Sequence, residues 1–77
     1  MFETILEICR EVNKDIPASP TVKLIDDGYI DSFGVFMILT RIELQYDIII
    51  AEEEMSYANF QDIQHIEQLV TGKLAEK

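Results

Sequence analysis

A chain of 77 residues with 48% hydrophobic content makes one small domain, residues 1–77, whose core must be compact, and it has no room for a conventional enzyme cleft. Fifteen acidic against six basic residues give a formal charge of −9, which repels nucleic acid and attracts basic protein surfaces. No apolar run approaches the roughly twenty residues of a membrane span, Glu3 and Glu7 interrupt any signal-peptide core, and the lone Cys9 permits no internal disulfide, so a cytoplasmic monomer is expected.

Phe2, Ile5, Leu6, Cys9 and Val12 recur at helical spacing, with Glu3, Glu7, Arg10, Glu11 and Lys14 elsewhere on the wheel, which predicts an amphipathic helix over about residues 2–14. Cys9 falls within the apolar set and reads as a small core side chain. Pro17 and Pro20 forbid continuation of the helix. The stretch from Asp15 to Asp31 is long for a connection in a small domain, and such loops are functional or held by their own side chains; Val22, Leu24 and Ile25 are the expected anchors.

A second helix is expected from Ser32, in an N-cap role, to about Tyr46, and its apolar residues cover more than one face. Val35, Ile38, Leu39, Ile42 and Tyr46 fit a core stripe, which leaves Met37 and Leu44, near Gly34, Arg41 and Gln45, as candidates for exposure. Asp47 ends the helix. Ile48, Ile49 and Ile50 have strand propensity but no second strand to pair with, so an extended, inward-pointing linker is expected. A short helix from Ala51 to Tyr57 follows, with Glu52, Glu53 and Glu54 at its favourable N-terminal end. Asn59 and Asp62 resemble a capping pair for a last helix bearing Phe60, Ile63, Ile66, Leu69 or Val70, and Leu74, frayed at Gly72. His65, between Ile63 and Ile66, is expected in solvent with no carboxylate placed to orient it. The fold class is all-α: three longer helices, one short helix and a long first loop.

A hydroxyl in the first turn of a helix can carry a covalent phosphate, because the unpaired N–H groups and the helix dipole favour a phosphodiester there. Around Ser32 the residues Asp26, Gly28, Asp31, Ser32 and Phe33 spell Asp-x-Gly-x-x-Asp-Ser followed by a large apolar residue. This pattern resembles the prosthetic-group site of acyl and peptidyl carrier proteins, and the likeness in length, acidity and helix order extends over nearly the whole chain. Fatty-acid carriers mostly read Gly-x-Asp-Ser-Leu; the longer Gly28 to Asp31 spacing is more similar to D-alanyl carriers and some stand-alone amino-acyl carriers.

The resemblance implies a four-helix bundle of acyl-carrier type with 4′-phosphopantetheine, taken from CoA, esterified to Ser32. Asp31 would help present the site to a phosphopantetheinyl transferase and its Mg²⁺, Gly28 would supply backbone freedom for the preceding turn, and Phe33 would affect which transferase accepts the domain. The chain would then hold acyl or amino-acyl groups as thioesters and shuttle them between activating and transfer enzymes, itself catalysing nothing. Related carriers are commonly recognised through acidic residues along the second helix. Here only Glu43 and Asp47 are available there, so a face containing Met37, Arg41 and Leu44 is expected to dock with a larger apolar component.

Two other classes compete. Aligning Gly28 with the sixth position of an EF-hand loop puts Lys23, Ile25 and Gly34 at ligand positions, so no tight calcium site is expected, although Asp26, Asp27 and Asp31 could bind divalent cations loosely. Ser–His hydrolysis lacks an oriented base. The stronger rival is a helical interaction module with no prosthetic group.

Overall fold

The computed structural model describes residues 1–77, folded as four α-helices and a single 3₁₀ turn with no strand. α1 spans Phe2–Val12, α2 Ser32–Tyr46, α3 Tyr57–Phe60 and α4 Ile63–Ala75, with the 3₁₀ turn at Glu52–Glu54. α1 ends two residues before the expected Lys14. Asn13 is extended (φ −146°, ψ 108°), and its side chain is used locally: Oδ1 accepts the Asp15 N–H at 3.0 Å and Nδ2 donates to the Tyr29 carbonyl at 3.1 Å. An Asn that bonds nearby backbone in this way competes with the next helical turn.

α1 packs against both α2 and α4, and α3 packs on α4. The core between them contains Ile5, Cys9, Ile38, Ile42, Phe60 and Ile66, all fully buried. Each such side chain contributes roughly 1.5–3 kcal/mol by leaving water, offset by the entropy of ordering the chain. Cys9 is part of this core, and its burial pushes the thiol up to about 12, so it is an inert apolar side chain here.

The long first loop is held as firmly as the helices. Leu24 is fully buried, as expected, while Val22 and Ile25 only border the core; Ile16 and Ile30, which the sequence pattern did not single out, are buried as well. The Leu24 carbonyl accepts N–H bonds from both Tyr29 (2.9 Å) and Ile30 (3.0 Å), closing a tight turn in which Gly28 sits at φ +80°. That left-handed conformation is strained for residues with a Cβ, which accounts for glycine here. Two backbone bonds then dock the loop on the far end of the chain: Leu24 N–H to the Gln61 carbonyl and Gln64 N–H to the Pro20 carbonyl, both 2.9 Å.

The linker after α2 is extended and alternates, with Ile48 and Ile50 buried and Ile49 left 83% exposed, so only two of the three isoleucines point inward. The segment expected to be one helix from Ala51 to Tyr57 is divided. The 3₁₀ turn stops at Met55, and Ser56 then caps α3, its Oγ accepting the Asn59 N–H at 3.3 Å. Asn59 therefore lies inside α3, where its Nδ2 donates to the Glu54 carbonyl at the end of the 3₁₀ turn (2.9 Å), and it does not cap α4. Asp62 alone caps α4, which continues through Gly72 to Ala75 without fraying there.

Candidate functional site

Ser32 stands at the start of α2, but it is not the cap. Asp31 is, with extended backbone (φ −110°, ψ −172°); its Oδ1 accepts the Gly34 N–H at 2.9 Å and its carbonyl accepts the Val35 N–H at 2.9 Å. A carboxylate at this position satisfies an orphan amide and complements the positive end of the helix dipole. Ser32 is therefore the first helical residue, exposed and relieved of any capping task. Gly34 is needed for contact: a Cβ there would lie 3.1 Å from Val12 Cγ1 and 3.2 Å from Ile30 Cβ, so its absence lets the start of α2 sit tightly on α1 and the loop.

Beside Ser32 runs a groove of about 240 Å³. The loop contributes Ile25 and Asp31, α2 contributes Ser32 and Val35, and the segment leading into α3 contributes Met55 and Tyr57. Tyr57 Oη donates to Asp26 Oδ2 at 2.6 Å, linking α3 back to the loop, and this bond to a carboxylate raises the Tyr57 hydroxyl above its usual value. The segment's other side is fixed to α4 by Lys73, whose Nζ lies 2.5 Å from Glu54 Oε1. The Lys73 bond, with the Ala51 N–H donating to the same carboxylate at 2.8 Å, holds Glu54 below the usual carboxylate range; in return Glu54 holds Lys73 above the usual lysine range.

On its outward side, α2 carries Phe33 (64% exposed), Phe36 (56%), Met37 (41%) and Leu44 (75%). Met37 and Leu44 were expected there. Phe33 was singled out for its place after the serine and Phe36 was assigned to neither face; at 100° per residue Phe33 falls opposite Val35, Ile38, Leu39 and Ile42, which was the available signal for it, while Phe36 lies on the flank of that stripe next to Leu39 and is exposed only in part. Tyr46, expected in the core stripe, is only half-buried.

The remaining residues expected to meet partners are dispersed in role. Arg41 pairs with Glu11 of α1 at 3.3 Å, with both side chains about half exposed. Glu43 turns back on its own chain, Oε2 accepting the Ile50 N–H at 2.8 Å, which ties the linker to α2. Asp47 takes the left-handed C-cap conformation (φ 53°), its carboxylate 3.4 Å from Lys77 Nζ.

Contrary to the sequence expectation, His65 has an oriented carboxylate: Nδ1 lies 2.6 Å from Asp62 Oδ1, which also accepts the His65 backbone N–H at 2.8 Å. The three-residue spacing from a capping Asp was the signal for this pair. It belongs to the N-terminal cap of α4 and does not line the groove at Ser32. Asp26, Asp27 and Asp31 do not converge; no three His, Cys, Asp or Glu side chains gather into a metal-binding group. No helix is long and apolar enough to cross a membrane.

No protein-family model, curated protein or solved structure matches the chain.

Proposed function

We propose that the chain is a carrier protein of the acyl-carrier type, modified on Ser32 by a phosphopantetheinyl transferase that uses CoA and Mg²⁺. The observation that carries this reading is the division of labour at the start of α2, where Asp31 does the capping and Ser32 is left exposed in the first turn. The residues present fit a phosphodiester. The hydroxyl is accessible, the helix dipole is oriented to favour the added charge, and Gly28 at φ +80° shapes the turn that brings the loop to the helix. When bound, 4′-phosphopantetheine supplies a terminal thiol that holds an acyl or amino-acyl group as a thioester.

The chain's own residues supply the attachment point and a rigid mount. Asp31 caps the helix that presents the serine, Phe33 borders the surface a transferase meets, and Ile25, Val35 and Met55 line an apolar groove immediately beside the attachment point. Tethering keeps the loaded group at high effective concentration for each enzyme that docks on the outward face of α2. The Gly28 to Asp31 spacing favours amino-acyl cargo.

Intact mass after incubation with CoA, Mg²⁺ and a broad-specificity transferase is the test. The expected result is a gain of one phosphopantetheine by the wild type and none by Ser32→Ala, with helical circular dichroism unchanged; a Ser32→Ala protein that still gains mass would refute the site. A second reading is an interaction module without a prosthetic group, favoured by the four large apolar side chains exposed on α2. An unmodified wild type under the same conditions decides for it.

A further inference from the structure

The extended linker after α2 is hydrogen-bonded along one edge only. Ile48 N–H donates to the Glu43 carbonyl at 3.3 Å and Ile50 N–H donates to Glu43 Oε2 at 2.8 Å, so a single residue of α2 serves both amides. In extended chain the N–H and C=O groups of successive residues point to opposite sides. Those of Ile49 therefore point away from Glu43, and neither makes a hydrogen bond within the protein. The Ile49 side chain is 83% exposed, and the next amide along this edge, that of Ala51, is taken by Glu54 at 2.8 Å. What stands open is one β-branched residue with its donor and its acceptor both free.

The same residue borders a cleft of about 290 Å³, with Asp47, Ile48 and Ile49 on one side and Lys73, Glu76 and Lys77, from the end of α4, on the other. Both lysines are already engaged. Lys73 Nζ is held by Glu54, and Lys77 Nζ donates to the Tyr46 carbonyl (3.3 Å) and to Asp47 Oδ2 (3.4 Å). The Glu76 carboxylate, its side chain 72% exposed, has only a 4.0 Å approach to that same Lys73. The cleft thus joins an apolar wall, an open backbone donor and acceptor, and one carboxylate with no cation of its own.

From these observations we infer that the linker receives an extended segment of another protein, paired antiparallel with Ile49, its apolar side chain on Ile49 and a Lys or Arg toward Glu76. In an antiparallel ladder two facing residues exchange both of their bonds, so one open residue is enough to seat a strand, and strand addition to a bare edge is a general mode of peptide recognition. A second copy of this chain is a poor occupant. Symmetric pairing about Ile49 sets Asp47 against Ala51, Tyr46 against Glu52 and Gln45 against Glu53, so no acid of either copy meets a base, and each copy brings a charge of −9. Ser32 begins α2 and this edge follows its end, about 22 Å further along the helix, so the site does not depend on the serine being modified.

The test uses an end-blocked peptide of about five residues, valines alternating with threonine and lysine, against the same peptide N-methylated at its central valine. Methylation deletes the donor to the Ile49 carbonyl and leaves charge and side chains in place. Titration into ¹⁵N-labelled protein is expected to move the Ile49 amide proton downfield and slow its exchange with solvent, with affinity about fivefold above that of the methylated peptide. Ile49→Pro removes an amide that the fold does not use and should weaken binding about fivefold as well, and Glu76→Gln about twofold. Equal binding of the two peptides by the wild type would reduce the interaction to charge attraction and overturn the inference without recourse to any variant. So would shifts centred on α2, or slowing of Ile49 exchange with protein concentration when no peptide is present, which would give the edge to a second copy. No arm of this experiment requires loading of Ser32, so its outcome is independent of the carrier reading.

Discussion

α1 and α2 lie side by side and bury similar numbers of residues, four and five, yet they finish their outer surfaces in opposite ways. α1 is sorted cleanly, with Ile5, Leu6, Ile8 and Cys9 inside and Glu3, Glu7, Arg10 and Glu11 outside. α2 buries Val35, Ile38, Leu39 and Ile42 and still presents Phe33, Phe36, Met37 and Leu44 to water. A domain of 77 residues needs only one apolar face per helix to close its core, so the second apolar face of α2 does nothing for the fold. It begins next to Ser32 and runs along α2 as far as Leu44. The difference separates the side chains that build the bundle from those available to what the bundle meets.

The sharpest way to break that division is to truncate one residue from each face of α2. Ile38→Ala removes a fully buried side chain and should cost about 3 kcal/mol, combining lost transfer energy with a residual cavity. Phe36→Ser, on the exposed flank of the same helix, should change stability by less than about 0.5 kcal/mol despite removing a larger group. Urea midpoints at constant m-value measure both. Comparable losses would mean that Phe36 belongs to the core and that the outward face is an illusion of the wheel.

A smaller effect separates the mount from the attachment point. Asp31→Ala deletes the cap on Gly34 N–H and should destabilise the domain by about 1 kcal/mol, whereas Ser32→Ala should stay within about 0.5 kcal/mol. Gly28→Ala should cost about 1 kcal/mol as well, by forcing a Cβ into φ +80° although the space around it is open. The same urea transitions report all three, and a Ser32→Ala loss equal to that of Asp31→Ala would restore Ser32 to the capping role that its sequence position suggested.

That suggestion illustrates which features were legible. The limits of α2 were readable because Ser32 and Asp47 bracket an unbroken apolar run, but an Asp-Ser pair offers two competing caps and spacing alone does not choose between them. The carboxylate wins because it brings a full charge to the helix dipole as well as an acceptor. In the first loop, Leu24 was recognised as an anchor, while Ile16 and Ile30 were not, since irregular backbone has no period against which to test a buried side chain. From Ala51 to Asp62 the sequence offers several start signals within a dozen residues, Glu52, Ser56, Asn59 and Asp62, and only tertiary contact decides among them. The Lys73–Glu54 pair spans the 3₁₀ turn and α4, a separation no local pattern reveals. The apolar excess of α2 was visible from the beginning; the pairing of its Arg41 with Glu11 needed the packing of α1 against α2.

The smallest expected effect concerns the other wall of the Ser32 groove, which is a region of short elements, in contrast to α1 and α2. A 3₁₀ turn and a four-residue helix have little cooperative stability of their own, so residues 52–60 depend on Lys73, Glu54 and the Tyr57–Asp26 bond to stay in place. Glu54 is held below its usual range, so its contribution is complete above the ordinary carboxylate value and is lost as pH falls through the lowered one. Lys73 is held above its usual range, so its contribution is complete below the ordinary lysine value and is lost as pH rises through the raised one. The pair is therefore intact across the neutral range and fails first on the acid side under accessible conditions. Amide exchange, corrected for intrinsic rates, should find protection of residues 52–60 flat around neutrality and declining at acid pH before that of α1. Lys73→Met should lower that protection at neutral pH and flatten its acid limb while leaving α1 unchanged. If α1 lost protection in parallel, the short elements would be opening with the whole bundle, and the groove beside Ser32 would be as rigid as the core.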